Sequence, residues 1–290
     1  SPKQDLTQNK RTTGTFLKEL QEELKKHSES PYLDSVVLLA HTTGLTKSQL
    51  LANPDPSLSP AQNKQLERAL TRIKAGTPLP YVIGEWEFFQ LKFKITEDVL
   101  IPRPETEGLV ELALAWLDSH PGRKSCLEIG TGCGCIAISL AAKIPDLKII
   151  ATDISKNALQ VARENARAHQ VDDQIAFEER DLLTGMDRKV DLLVANLPYI
   201  PTKKLRSLAV YNQEPFLALD GGADGLYYVK KVLKSARNHM HPGGAIFLEL
   251  DEDSGASALA LAREVWPGMT LKLSQDLSGQ DRYLSIQCEP

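Results

Sequence analysis

Residues 126–134 read Cys126-Leu127-Glu128-Ile129-Gly130-Thr131-Gly132-Cys133-Gly134, an apolar strand running into a glycine-rich turn. Glycine at 130, 132 and 134 lets the chain turn tightly, brings backbone close to a ligand and frees the N-terminus of the helix that follows. A nicotinamide fingerprint would need its third glycine at position 135, where Cys135 stands. Working outward, apolar strand patterns recur at 148–153, 175–180, 190–195, 245–250 and 282–287. Helical patterns fall between most of them, at 136–143, 158–169, 226–239 and 257–265. Such alternation predicts an α/β fold whose open, mainly parallel sheet carries helices on both faces. Sheets of this kind bind ligands beyond the carboxyl ends of their strands, where the strand order reverses. Asp153 closes the second strand, a position from which a carboxylate accepts two ribose hydroxyls.

Upstream, the texture changes. Phe16, Leu17, Leu20 and Leu24 mark one helical face, and Val36, Val37, Leu39 and Ala40 a second helix closed by Gly44. Ser59-Pro60 reads as an N-cap with proline at the first helical position, and Leu66, Leu70 and Ile73 continue that stripe. A helical domain of three or four helices over residues 1–80 is predicted, without chemistry of its own. Leu91, Phe93 and Ile95 alternate with Lys92 and Lys94 and can pair with the preceding WEFF run. A β-hairpin connector over 81–98 is expected there, leaving 99–290 for the α/β domain.

The chain has 290 residues, 42% hydrophobic and 25% charged, which excludes wholesale disorder. No apolar run reaches the roughly 18 residues that cross a bilayer, so no membrane partner is expected. The first thirty residues lack a continuous apolar segment, so a signal peptide is not expected and a cytoplasmic setting fits. A net charge of −4 argues against life on nucleic-acid phosphates. Four cysteines are too few for a disulfide scaffold, and Cys133-x-Cys135 without further ligands nearby makes poor zinc evidence, so no metal is expected. A monomer is expected.

Strand 190–195 ends in Asn196-Leu197-Pro198-Tyr199, followed by Ile200-Pro201. Two prolines halt the strand and stiffen a turn at the ligand-binding edge. The turn resembles the Asn-Pro-Pro-Tyr motif of methyltransferases that act on planar amide or amino nitrogens, and the loop 130–134 looks like the adenosylmethionine loop of class I methyltransferases. An amide nitrogen is a weak nucleophile because its lone pair is delocalised. Asn196 can accept one N–H, a backbone carbonyl of the turn the other, and Tyr199 can stack on the planar group. Those acceptors strengthen as the nitrogen turns tetrahedral and positive. Leu197 stands where the motif has proline, so Leu197→Pro is expected to stiffen the turn at no cost to turnover.

Five segments together resemble the HemK family of release-factor glutamine methyltransferases: VLIPRPETE (99–107), LEIGTGCG (127–134), NLPYIP (196–201), QEPFLALDGGADGL (213–226) and DLSGQDRY (276–283). The resemblance implies a Rossmann-like class I methyltransferase domain and a helical N-terminal domain that docks the substrate protein. It implies methyl transfer from S-adenosylmethionine, leaving S-adenosylhomocysteine, to the glutamine of the Gly-Gly-Gln motif in class 1 peptide-chain release factors. Matched residue by residue, Gly130, Thr131, Gly132, Cys133, Gly134, Asp153, Asp181, Leu182 and Asn196 fall on the family's cofactor contacts. Asn196, Leu197, Pro198 and Tyr199 fall on its glutamine clamp. Arg103, Pro104 and Glu105 fall on a loop bordering the site; alternatively, Arg103 and Glu105 hold the hairpin to the sheet. Leu248-Glu249-Leu250-Asp251 departs from the expected Glu-Gly pattern.

Two rivals remain at this point. A DNA adenine-N6 methyltransferase uses a similar tetrapeptide but needs a basic groove and a recognition domain, which the charge and the small N-terminal region disfavour. A catalytically silent module that only binds a translation factor would draw support from Leu197 and the Glu249 segment.

Overall fold

The computed structural model describes residues 13–52, 57–208 and 213–290. They fall into two compact units, 1–84 and 85–290. Residues 1–12 and the side chain of Phe16 lie outside the described residues.

The first unit contains α1 (Thr13–Leu24), α2 (Pro31–Thr43), α3 (Lys47–Ala52), α4 (Pro60–Lys74) and α5 (Leu79–Ile83). Leu17, Leu20 and Leu24 of α1 are buried, as the helical spacing requires. In α2 the buried face is Val36, Leu38, Leu39 and Thr42, while Val37, predicted to lie on it, faces solvent. Gly44 ends α2 in the left-handed conformation, its N–H donating to the Ala40 carbonyl at 2.9 Å. Ser59 caps α4 in a reciprocal box: its Oγ accepts the Gln62 N–H at 3.1 Å, and Gln62 Oε1 accepts the Ser59 N–H at 2.9 Å. The short helices α3 and α5 exceed the sequence expectation, and α5 occupies residues assigned to the start of the hairpin.

The second unit opens with that hairpin, β1 (Glu85–Phe88) and β2 (Leu91–Lys94), turned through Phe89 and Gln90 with φ of 49° and 62°. Two consecutive left-handed residues match the twist of a two-residue hairpin loop. Next come α6 (Pro104–Ser119), β3 (Ser125–Ile129), α7 (Cys135–Lys143), β4 (Lys148–Asp153), α8 (Lys156–Ala168), β5 (Ile175–Glu179) and β6 (Val190–Ala195). The chain continues through α9 (Thr202–Ser207), α10 (Phe216–Leu219), α11 (Tyr227–Ala236), β7 (Met240–Glu249), α12 (Gly255–Val265), β8 (Thr270–Gln275) and β9 (Asp281–Gln287).

The seven-stranded sheet has the order β5-β4-β3-β6-β7-β9-β8 and is parallel except for β9, which runs against both neighbours. Alternation along β3 assigns its two faces. Leu127 and Ile129 join a core with Val229 and Leu233 of α11 and Ala258 and Ala262 of α12. Glu128 points to the other face, where it meets α7. Chain order runs β3-β4-β5 one way and then returns to β6 on the far side of β3. The switch point therefore lies between β3 and β6, and the segments leaving their carboxyl ends are Gly130–Gly134 and Asn196–Tyr199.

Candidate active site

The glycine loop is held from below and open above. Gly130 and Thr131 N–H both donate to the Thr152 carbonyl at 2.8 Å. Gly130, Gly132 and Gly134 all take positive φ, of 73°, 56° and 89°. A Cβ on Gly132 would meet nothing within 4 Å, and one on Gly130 only the Asn196 carbonyl oxygen at 3.9 Å. A Cβ on Gly134 would instead come within 2.9 Å of Ile138 Cδ1, so that glycine serves helix packing. Buried Asn165 of α8 fixes the loop from behind: its Nδ2 donates to the Cys133 carbonyl at 2.8 Å and to the Lys94 carbonyl at 3.1 Å. Its Oδ1 accepts the Lys94 N–H at 2.7 Å. Hairpin and loop thus share one carboxamide.

Beneath the loop, Glu128 Oε1 accepts the Thr131 hydroxyl at 2.6 Å and the Ala137 N–H at 3.2 Å, while Oε2 has no partner among the described residues. Burial pushes this carboxyl up to about 7 against those two hydrogen bonds. Asp153, at the end of β4, accepts the Gly132 N–H on Oδ2 and the Ser155 N–H on Oδ1, each at 2.9 Å. Burial raises its carboxyl above the ordinary value in spite of these donors. Each oxygen retains a lone pair for a further donor. The Arg180 N–H donates to the Asp153 carbonyl at 3.1 Å and brings Asp181 and Leu182 to the same strand ends. Leu182 is left-handed at φ 52°, a cost for a branched residue that the adjoining core supports. All four cysteines are buried and free, and among the described residues no His/Cys/Asp/Glu group is arranged to hold a metal.

The Asn196 turn packs beside this loop because β3 and β6 pair in register, Ile129 opposite Ala195. Asn196 Nδ2 donates to Thr106 Oγ1 of α6 at 3.3 Å, which leaves its Oδ1 as the uncommitted end of the amide. Leu197 is only 2% exposed and packs into the core against the sheet, so it offers the turn its backbone alone. Burial and the Glu249 carboxylate hold the Tyr199 hydroxyl well above the usual phenol range. The strand-like contact Ile200–Asp220 ties the turn to the ALDGGADG segment. A Cβ on Gly221 would come within 2.6 Å of the Tyr199 carbonyl carbon, which explains the glycine there.

Arg103 bears on the turn through its charge, which opposes the upward shift of the Tyr199 phenol. Its guanidinium forms a bidentate pair with buried Glu214, whose Oε1 also accepts the Ile101 N–H at 2.8 Å. Arg103 caps α6 and Pro104 opens it, so the PRPET run begins a helix rather than forming a loop. The Glu105 carbonyl accepts the Tyr283 hydroxyl. Glu107 ties the hairpin to α6, its Oε1 accepting the Phe89 N–H at 2.7 Å. In the DRY run, Arg282 pairs with Asp276 at 3.1 Å and closes the β8–β9 loop. Sequence reasoning assigned no role to Thr106, Asn165, Glu214 or the buried Glu128, and marked Glu249 only as part of a segment that departs from the expected Glu-Gly pattern. A charged residue inside an apolar strand is a signal that both 128 and 249 carry in the sequence.

The residues present fit an adenosyl cofactor: an open glycine cradle, a carboxylate one strand over and a second turn against the cradle's edge. Comparison with known proteins agrees. Residues 15–84 match the family model of the PrmC N-terminal domain, and residues 110–213 that of the methyltransferase small domain. The release factor glutamine methyltransferase of Moorella thermoacetica is 42% identical over 256 residues, covering 88% of this chain and 90% of that protein. The protein of the same name from Cereibacter sphaeroides is 38% identical over 258 residues, with 88% and 90% covered. A methyltransferase structure from Pyrococcus furiosus, 18% identical, superposes with a TM-score of 0.52 over 80% of this chain and 100% of that one, which speaks for the fold. Cradle, turn and both sequence domains therefore coincide in one assignment: this chain belongs to the release factor glutamine methyltransferase family.

Proposed function

We propose that this protein transfers a methyl group from S-adenosylmethionine to the side-chain amide nitrogen of the glutamine in the Gly-Gly-Gln motif of class 1 peptide-chain release factors. The observation that carries the reading is the juxtaposition of Gly130 with the Asn196 carbonyl, 3.9 Å from where a Cβ would stand. A cofactor cradle and an amide-accepting turn border one another there. The loop 130–134, Asp153 and Asp181-Leu182 would hold the cofactor, which when bound supplies a methyl group on a cationic sulfur. Asn196 Oδ1 accepts one N–H of the substrate amide, because Nδ2 is engaged with Thr106. A carbonyl of the turn accepts the other, and Tyr199 fixes the plane of the amide. These acceptors interact more strongly with the cationic nitrogen of the transition state than with the ground-state amide, which is selective stabilisation. The amide proton leaves after transfer, when the nitrogen has become acidic, so no general base precedes the step. The helical unit serves to dock the release factor.

Incubation with labelled S-adenosylmethionine and purified release factor, followed by mass-spectrometric mapping, tests the reading. Label on the Gly-Gly-Gln glutamine is the expected result. Label on another residue, or on DNA adenine alone, overturns it.

A further inference from the structure

Glu249 closes β7 with a fully buried carboxylate, and neither of its oxygens has a hydrogen-bond partner among the described residues. A buried carboxylate left in this state opposes folding, so its presence at a strand end beside a reactive turn asks for a functional account. The groups that bear on its charge are Glu105 and Thr106 of α6, Tyr199 of the turn, Arg282 and Tyr283 of β9, and Cys135 of α7. Thr106 and Tyr199 bring hydroxyls toward it, and Thr106 already accepts a hydrogen bond from Asn196 Nδ2.

We infer that Glu249 is a positioning residue for the amide clamp, acting through Thr106 to fix which end of the Asn196 carboxamide meets the substrate. The inference rests on the glutamine-methylation reading. An ionised carboxylate is acceptor-only, whereas a threonine hydroxyl carries a single proton. When Glu249 draws that proton toward itself, the Thr106 oxygen can only accept, so Asn196 must offer it Nδ2 and keep Oδ1 for the substrate N–H. A neutral Glu249 can donate instead. The Thr106 proton is then released toward Asn196, and the flipped amide, with its donor end toward the substrate, becomes allowed. The Tyr199 hydroxyl is the second hydroxyl that acts on the same carboxylate, from the other end of the turn.

Burial pushes Glu249 up to about 7, with Glu105 adding to the rise and Thr106, Tyr199 and Arg282 opposing it. The ionised, clamp-ordering form therefore gains population as the medium passes from mildly acidic to mildly basic.

Single-turnover methylation of the release factor by the full chain, at saturating cofactor and substrate, tests this from about pH 5.5 to about pH 9. The proteins compared are the parent, Glu249→Gln, Thr106→Val and the double variant. The parent rate should rise through about 7, as the ionised form does. Glu249→Gln should lose that limb and run roughly tenfold to a hundredfold slower on the basic side, as outer partners of reacting groups typically do. Cofactor affinity and the KM for the release factor should stay near the parent values. Thr106→Val should match Glu249→Gln, and the double variant should be no slower than either.

A second readout is independent of turnover: the side-chain amide NMR signals of Asn196, identified by their absence in Asn196→Ala. They should move with pH in the parent and stay fixed in both single variants. Signals indifferent to Glu249→Gln and Thr106→Val refute the relay, as does a Glu249→Gln enzyme that keeps the parent rate and pH limb. A parent without glutamine methylation removes the functional reading while the amide signals still decide the relay. Should Glu249→Gln fail to fold, the isosteric Thr106→Val carries both readouts.

Discussion

Glu128→Gln isolates the cost of a buried charge beneath the glycine loop. Glu128 is 1% exposed, and burial raises its carboxyl from 4.5 to about 7. A carboxyl raised in the fold keeps its proton to higher pH than it does in the unfolded chain. As pH climbs from 4.5 toward 7, the unfolded chain releases the proton first, and the native state loses stability across that window. The difference between 4.5 and about 7 corresponds to about 3 kcal/mol, fully lost above the folded value. The carboxamide of the variant retains an oxygen for the Thr131 hydroxyl and the Ala137 N–H but does not titrate. Urea unfolding of both proteins at steps across the window gives the assay. The stability of the variant relative to the parent should improve by about 3 kcal/mol from the acid to the basic end. Glu249 titrates over the same range but is present in both proteins, so its contribution cancels. A difference that does not change with pH would refute the assignment of a buried, proton-holding Glu128.

Asn196→Ala should slow single-turnover methylation roughly a hundredfold to a thousandfold, the cost of one preorganised transition-state partner, with a smaller change in cofactor affinity. Asp153→Ala should weaken cofactor binding, measured by calorimetric titration, by roughly 1.5–3 kcal/mol for each hydrogen bond to its charge that is lost. An unchanged affinity in a folded variant would take Asp153 out of the site. Leu197→Pro should lower the unfolding midpoint by an amount equivalent to about 1–3 kcal/mol, because it removes apolar atoms from a side chain packed in the core. A variant as stable as the parent would mean that the core closes around proline.

The sequence expectation for Leu197→Pro concerned turnover alone, and the stability cost comes from packing. Position 197 was legible as a backbone acceptor in a turn, but nothing in a single sequence says that its side chain points back into the core. The parallel sheet was legible, since β3, β4 and β6 are apolar runs ended by glycine or proline chemistry. The edge strand β8 was not, because its TLKLSQ mixes polar and apolar residues on a half-exposed edge. The helix α6 escaped notice for a related reason: PRPETE drew attention as a motif, although proline at the first helical position with Glu105 and Glu107 in the first turn is a helix start. Within the site, the loop and the turn were readable from their own residues. Thr106, Glu214 and Glu249 were not, since their roles come from partners about 90, 111 and 50 positions away that only the fold brings near.

The carboxamide of Asn165 also decides where the α/β part can be cut free. It makes three hydrogen bonds to two segments, two to the Lys94 peptide and one to the Cys133 carbonyl. A fragment trimmed to begin at residue 99, where the α/β pattern takes over in the sequence, would remove Lys94 and leave Asn165 Oδ1 and one of its two Nδ2 protons without those partners, with only the bond to the Cys133 carbonyl retained. It would also strip away Phe93, which is 0% exposed. A fragment beginning at residue 85 keeps the hairpin, and with it the brace behind the glycine loop. The smallest excisable catalytic piece therefore includes the hairpin as part of its scaffold, and the severable joint lies ahead of Glu85.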